Sequence, residues 1–93
     1  MAWTIVEERD AMKTMDALPP HITGKYTTWL SIVREQGPQG LRAIKGFHDE
    51  KLSGELKGLR SSRLSQQWRV IYRVESNVVT VYVERITPHD DRK

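Results

Sequence analysis

A run of basic side chains without any acidic residue occupies positions 56–74 of this sequence. A guanidinium group presents a planar fork of donors that matches the oxygens of a phosphate, and a strand can hold several such groups on one rigid surface. The run therefore predicts a binding surface for a polyanion. The simpler alternative is a solvated strand face whose charges discourage aggregation. The cations of the run are Lys57, Arg60, Arg63, Arg69 and Arg73.

Arg69 fits the alternative of a merely solvated charge least well. It follows Trp68 in a strand-like stretch, where a half-buried guanidinium without a partner would be costly. We therefore expect an anionic partner, either a carboxylate such as Glu84 or a phosphate, and the ring of Trp68 could flank the same surface. Arg60 and Arg63 point to opposite faces of a regular strand, so only one of them can share a surface with Arg69.

In the C-terminal segment 87–93 a histidine, two carboxylates and two basic residues lie close together in the sequence. Cleaving RNA without a metal needs a group that takes the proton of the 2′-hydroxyl, a group that protonates the leaving oxygen, and a cation for the phosphorane. His89 can make either proton transfer near neutral pH, Asp90 or Asp91 can act as base or orient the imidazole, and Arg69 can neutralise the phosphate. The alternative is an unstructured end of the domain.

The other histidines, tryptophans and glycines carry weaker signals. His21 and His48 lack cysteine partners and paired spacing, so we expect neither a metal site nor a cofactor. Trp3 and Trp29 are expected in the core. The segment 37–40, Gly-Pro-Gln-Gly, matches the short G-x-x-G loop of KH domains, but the predicted elements end on a strand where such a domain needs a third helix.

Composition limits the class of protein. The 93 residues allow one small domain, 1–93, and the net charge of +3 is modest for a nucleic-acid binder. There is no cysteine to form a disulfide, no apolar run near the roughly 20 residues that span a bilayer, and an N-terminal stretch with Glu7, Glu8 and Asp10 that does not resemble a signal peptide. We therefore expect a cytosolic protein, with membrane and secreted classes excluded.

Hydrophobic periodicity predicts an α+β domain in the order β-α-α-β-β-β, with two helices packed on one face of a sheet whose last three strands form an antiparallel meander. In the middle strand apolar residues alternate with Arg69 and Arg73, so one face should meet the helices and the other should present these two arginines. The predicted elements are a strand at 2–6, helices at 7–18 and 21–36, a single turn at 41–44, a mobile loop at 46–54, and strands at 59–64, 68–75 and 78–86, with a tight turn at 76–77.

The second half of the chain resembles the C-terminal half of the RelE/HigB family of type II toxins. The resemblance lies in the Lys-Gly-Leu-Arg element at 57–60, the Trp-Arg-Val-Ile-Tyr strand at 68–72 and the Ile-Thr-Pro-His-Asp segment at 86–90. In that family the first two elements and a terminal His-Asp-Tyr-Arg element occur in this order and spacing. The resemblance covers residues 54–92 in sequence and the helical half by layout alone. It implies the RelE/ParE fold, with two N-terminal helices over a curved antiparallel sheet.

The resemblance also implies a function. RelE/HigB toxins of bacteria are mRNA interferases that cut translated message in the ribosomal A site, and each is neutralised by a cognate antitoxin with which it forms an oligomer. Carried over by position, Arg69 would contact the scissile phosphate, Arg63 and Lys57 would hold RNA, and His89 with Asp90 would supply the acid/base end of the site. The expected partners are therefore an antitoxin, the ribosome and mRNA.

Asp91 departs from this pattern, because many relatives have a tyrosine after the His-Asp pair. A carboxylate cannot stack on a base and adds negative charge beside RNA phosphate, so we expect this chain to be a weakened nuclease. Two alternatives stay open. One is a ParE-like inhibitor of DNA gyrase, which needs no acid/base residues and should tolerate mutation of His89. The other is an inactive module that binds only RNA or an antitoxin.

Overall fold

The structure, a computed structural model, describes residues 3–85, and within them the side chains of all residues except Asp10, Met15 and residues 82–85. Three helices precede most of the sheet, and single 3₁₀ turns flank a very short second strand. In chain order the elements are β1 (Thr4–Glu7), α1 (Arg9–Asp16), α2 (Pro20–Gln36), α3 (Gln39–Arg42), a 3₁₀ turn at Lys45–Phe47, β2 (Glu50–Lys51), a 3₁₀ turn at Gly54–Leu56, β3 (Arg60–Arg63), β4 (Trp68–Glu75) and β5 (Val78–Arg85).

The five strands form one mixed sheet in the spatial order β1-β5-β4-β3-β2. The antiparallel meander predicted for the second half is confirmed in β3, β4 and β5, and Ser76 takes a left-handed φ of 54° in the tight turn that joins β4 to β5. The sheet is not wholly antiparallel, since β1 lies parallel to β5. Parallel neighbours need a long crossover, and here α1 and α2 form part of that connection.

Helix α2 supplies the largest apolar stripe. It begins after Pro19 with Pro20 in its first turn, where a missing N–H costs nothing, and it ends where the Gly37 N–H donates to the Val33 carbonyl at 2.8 Å. Its buried side chains recur at helical spacing and face the sheet. They are Ile22, Tyr26, Trp29 and Val33.

Trp29 lies at the centre of the core between this helix and the sheet. Its ring stacks on Tyr26 at a centroid distance of 5.8 Å and meets the edge of the Tyr72 ring at 5.4 Å. Val70 of β4 and Val81 of β5 complete the contact layer with no exposed surface. The core position predicted for Trp29 is confirmed, and Trp3 packs half-buried against the same cluster.

The segment 37–40 is a close helix junction. Gly37 has a φ of +79°, and a Cβ added there would lie 2.5 Å from Cε2 of Trp3. A Cβ on Gly40 would lie 2.8 Å from Cβ of Gln36. Close packing therefore accounts for both glycines without a role in clamping RNA.

The connection at 46–54 contains regular structure where the sequence predicts a mobile loop. It contains β2, which extends the sheet beyond β3, and the side chains of Phe47 and Asp49 are buried. The segment is rich in glycine and charged residues and lacks hydrophobic periodicity, so the sequence favoured a loop. Polar contacts to Asp49 hold it in place instead.

Across residues 3–85, no helix is both long and apolar enough to cross a membrane.

Candidate nucleic-acid interface

Successive side chains of a strand point to opposite faces of the sheet, and this alternation in β4 and β3 decides which basic side chains share a face. Tyr72 packs against Trp29 on the helix side, so Arg69 and Arg73, which lie an odd number of residues away, face the opposite side. Arg63 is the direct cross-strand partner of Arg69, which places both on the same face. We call the surface formed by Arg63, Arg69 and Arg73, on the side of the sheet away from the helices, the arginine face.

Arg69 is held by neighbours on β2 and β3. Its Nη1 donates to Oγ of the buried Ser61 at 3.0 Å and lies 3.6 Å from Oε2 of Glu50. The expected carboxylate partner is therefore present, and it is Glu50. Glu84 lies opposite Arg69 in the strand register, but its side chain is outside the described set. The Glu50 side chain keeps 51 % of its surface exposed and that of Arg69 keeps 23 %, so this pair meets solvent.

Arg73 and Arg63 extend the arginine face in two directions. Arg73 lies four residues along β4 from Arg69, a distance of about 13 Å in a strand, and its Nε is 3.7 Å from Oε1 of Glu75. That ion pair is largely exposed and holds Arg73 only weakly. Arg63 is half-buried, and no carboxylate among the described side chains pairs with it. The three arginines therefore form a cationic strip in which two members have an exposed or half-exposed carboxylate within 4 Å and Arg63 has none among the described side chains.

Arg60 lies on the other face, in a buried polar group that we call the Asp49 cluster: Asp49, Arg60, Ser62 and Tyr72. Arg60 donates to Asp49 Oδ1 through Nε at 2.9 Å and pairs with it through Nη2 at 2.7 Å. Oδ2 accepts from Ser62 Oγ at 2.6 Å and from Tyr72 Oη at 2.5 Å. The Asp49 side chain has no exposed surface, so these donors replace the water that it has lost.

The protonation states within the Asp49 cluster reinforce its contacts. Burial and the hydrogen bond to Asp49 raise the pKa of Tyr72 well above its ordinary value, which keeps the phenol a neutral donor. Burial lowers the pKa of Arg60, but its hydrogen bonds to Asp49 and Tyr72 outweigh that effect and raise the pKa. The cluster is therefore a direct guanidinium–carboxylate pair in which two hydroxyl groups also donate to Oδ2 of Asp49.

These positions resolve the parity question that the sequence left open. Arg63, not Arg60, shares a face with Arg69. An RNA-binding role for Arg60 stays a prediction, and its guanidinium is already engaged by Asp49. Sequence reasoning missed both acidic neighbours. The available signal was that Asp49 and Glu50 are the last pair of acids before a stretch rich in arginines.

Trp68 and Lys57 lie in different environments, one against the core and the other in an exposed connection. Trp68 is half-buried and packs against the core cluster, so its ring does not lie on the arginine face. Lys57 is exposed directly after the 3₁₀ turn at Gly54–Leu56 and precedes Gly58, whose φ is +98°. Their roles in RNA binding stay predictions.

His89, Asp90 and Asp91 lie outside the described residues, so the structure places none of these three side chains. Strand β5 ends with Arg85 opposite Trp68, beside the end of β4 that carries Arg69. Within residues 3–85, no group of three histidine, aspartate or glutamate side chains is placed to hold a metal ion.

Neither a protein-family model nor a curated protein matches this sequence. Solved structures do match. The archaeal RelE–RelB complex from Pyrococcus horikoshii OT3 contains a chain with a TM-score of 0.72 and 21% identity, covering 97% of this chain and 99% of that one. The E. coli DinJ–YafQ toxin-antitoxin complex matches with a TM-score of 0.69 and 13% identity, covering 91% and 93%.

A third similar structure is the heterotetrameric YoeB–YefM toxin-antitoxin complex from Staphylococcus aureus, with a TM-score of 0.65 and 21% identity over 87% of this chain and 92% of that one. The helix layer and mixed sheet are thus those of the RelE-like toxins. The fold predicted from the sequence resemblance is confirmed.

Proposed function

We propose that this chain is the toxin of a type II toxin–antitoxin system and acts as a ribosome-dependent, metal-independent endoribonuclease on translated mRNA. The observation that carries the proposal is Arg69, whose guanidinium is held by Ser61 beside the half-exposed carboxylate of Glu50 on the arginine face. The likeness in fold to chains crystallised in toxin–antitoxin complexes supports the role of a toxin.

In the proposed reaction Arg69 binds the scissile phosphate and stabilises the charge of the phosphorane, with Arg63 beside it. The carboxylate of Glu50 takes the proton of the 2′-hydroxyl as the 2′-oxygen attacks phosphorus. His89 protonates the 5′-oxygen as the P–O5′ bond breaks, and Asp90 orients the imidazole. The products are a 2′,3′-cyclic phosphate and a 5′-hydroxyl. The parts given to His89 and Asp90 come from the sequence.

Glu50 changes one assignment of the sequence-based mechanism. Asp90 and Asp91 were the candidate bases there, since they are the carboxylates nearest to His89 in the chain. Glu50 has a carboxylate 3.6 Å from the guanidinium that would hold the phosphate, and half of its side-chain surface is open to solvent. A base must be within reach of the proton that it abstracts, so this geometry favours Glu50.

The proposed partner is a cognate antitoxin. The similar chains in the DinJ–YafQ and YoeB–YefM structures belong to toxin–antitoxin complexes, and that of the archaeal RelE–RelB structure also belongs to a complex. The arginine face suits an acidic, extended partner that orders on binding and covers the cations. Because binding to the folded state stabilises it by mass action, the antitoxin should raise the melting temperature, and an unchanged value would count against this mode of binding.

The test is cleavage of mRNA by the purified chain on programmed ribosomes, with fragments checked for a cyclic phosphate at their 3′ ends. Arg69→Ala should lose about 100-fold or more in cleavage rate, as is typical when a group that stabilises transition-state charge is removed. Arg34→Ala is the matched control, because it deletes an exposed arginine from α2, in the helix layer. Cleavage that survives Arg69→Ala at the level of Arg34→Ala would contradict the proposal.

A further inference from the structure

Asp49 and Glu50 are adjacent in the chain but reach opposite faces of the sheet. The Asp49 carboxylate is buried in the Asp49 cluster, and that of Glu50 lies 3.6 Å from Arg69 on the arginine face. We propose that Asp49 is a positioning residue that fixes Glu50 beside Arg69. Its consequence for catalysis rests on the proposed function, whereas the anchoring itself rests on the contacts alone.

The segment that carries Glu50 needs such an anchor. Strand β2 has two exposed residues, which pair with Ser61 and Arg60 of β3, and a further backbone bond at this edge joins Leu52 to Leu59. The residue before Asp49, His48, has a left-handed φ of 49°, which is uncommon for a residue other than glycine. An edge strand of this length without side-chain contacts would open readily.

The donors that hold Asp49 alternate with the groups that hold Arg69. Arg60 and Ser62 flank Ser61 on β3, and Ser61 is the residue whose hydroxyl accepts from Arg69. Tyr72 is on β4, the strand of Arg69. Strands β3 and β4 therefore hold the Asp49 side chain on one face of the sheet and the Arg69 side chain on the other. Because Glu50 follows Asp49 in the chain, the contacts of Asp49 also set the distance between the Glu50 carboxylate and Arg69.

A matched pair of substitutions separates positioning from general support of the fold. Tyr72→Phe removes a buried hydroxyl that donates to Asp49. Tyr26→Phe removes a buried hydroxyl that donates to the Glu7 carboxylate at 2.7 Å, at the opposite edge of the sheet. Each variant loses one tyrosine–carboxylate hydrogen bond, and only the bond of Tyr72 lies next to Glu50. Tyr72→Phe also removes the oxygen that accepts from Arg60 Nε at 3.3 Å, a contact within the same Asp49 cluster.

The first measurement is the single-turnover rate of mRNA cleavage on ribosomes at a temperature where both variants are fully folded. Misplacing a catalytic group by about 1 Å can cost up to 100-fold, so we expect Tyr72→Phe to lower the rate by about 10-fold or more. Tyr26→Phe should stay within about twofold of the wild type. In a Glu50→Gln background the effect of Tyr72→Phe should vanish, because the group being positioned is gone.

The second measurement is amide hydrogen exchange over residues 50–52, which needs no cleavage. The Leu52 N–H donates to the Leu59 carbonyl at 3.0 Å and reports on this edge. Exchange there should become at least about 10-fold faster in Tyr72→Phe and stay unchanged in Tyr26→Phe. If Tyr72→Phe does not fold, Ser62→Ala removes another donor to Asp49 and takes its place.

The outcomes separate this inference from the proposed function. A wild-type chain that cuts no mRNA overturns the nuclease, while faster exchange in Tyr72→Phe alone would still support the anchor. Equal exchange in the two tyrosine variants overturns the anchor even if the wild type cuts mRNA. Unequal exchange with equal cleavage rates would show that Asp49 holds the edge of the sheet without positioning Glu50.

Discussion

Glu50→Gln should change RNA binding and RNA cleavage in opposite directions. In the free protein the Glu50 carboxylate lies 3.6 Å from the Arg69 guanidinium, where an incoming phosphate must compete with it. Removing the carboxylate frees the guanidinium for the phosphate. The same substitution removes the proposed acceptor for the 2′-hydroxyl proton, so binding should strengthen while cleavage fails.

The sizes of the two effects follow from the geometry. Two unit charges at this distance interact by about 1 kcal/mol in water, and partly exposed ion pairs contribute about 0.2–1 kcal/mol. Glu50→Gln should therefore tighten binding of a short RNA by at most about fivefold. Loss of a general base should slow cleavage by about 100-fold or more.

Binding is measured by fluorescence anisotropy with a short RNA that carries a 2′-deoxy nucleotide at the cleavage site and cannot be cut. Glu35→Gln is the control, because it removes the same charge from an exposed position on α2. A gain in affinity that is equal in both variants would reflect net charge alone and would refute competition at Arg69. Full cleavage by Glu50→Gln would refute its role as base.

Three further predictions concern the stability of the fold and the role of Asp91. Gly37→Ala, which forces a left-handed φ and a Cβ 2.5 Å from an indole ring, should lower the free energy of unfolding by about 2–5 kcal/mol in a denaturant titration, whereas Gly24→Ala, with nothing within 4 Å, should not destabilise the fold. The folded state raises the pKa of Tyr26 and of Tyr72, so the free energy of unfolding should be unaffected by the ionisation of these groups below pH 10, where both tyrosines are protonated in the folded and unfolded states. Above pH 10 it should fall by at most about 1.4 kcal/mol per tyrosine per pH unit. Tyr26→Phe and Tyr72→Phe should each remove the contribution of one tyrosine to this slope. Asp91→Tyr should increase ribosome-dependent cleavage, and an unchanged rate would show that Asp91 does not weaken the chain.

Much of the fold could be predicted from the sequence, because its elements carry clear periods. The stripe from Ile22 to Val33 marks α2, and the alternation in β4 marks both the strand and the face that presents its arginines. The parallel pairing of β1 could not be read, since Thr4–Glu7 is equally consistent with either orientation. Strand β2 was missed because two residues show no period.

The sequence predicted the basic residues of the candidate site but not the acidic residue that lies beside them. Arg69 stood out because a strand rarely holds an unpaired guanidinium between apolar neighbours. Its partner Glu50 lies 19 positions earlier in a segment that the sequence presented as a loop. Long-range pairing of this kind depends on strand register and on the buried contacts of Asp49, which leave no local pattern.

The central claim is tested most directly by inducing the chain in a bacterium and mapping the 5′ ends of all mRNAs, with Arg69→Ala induced in parallel. The proposed function predicts new 5′ ends inside translated reading frames, absent from untranslated regions and lost in Arg69→Ala. An unchanged mRNA population together with DNA damage would contradict it and would point instead to inhibition of gyrase.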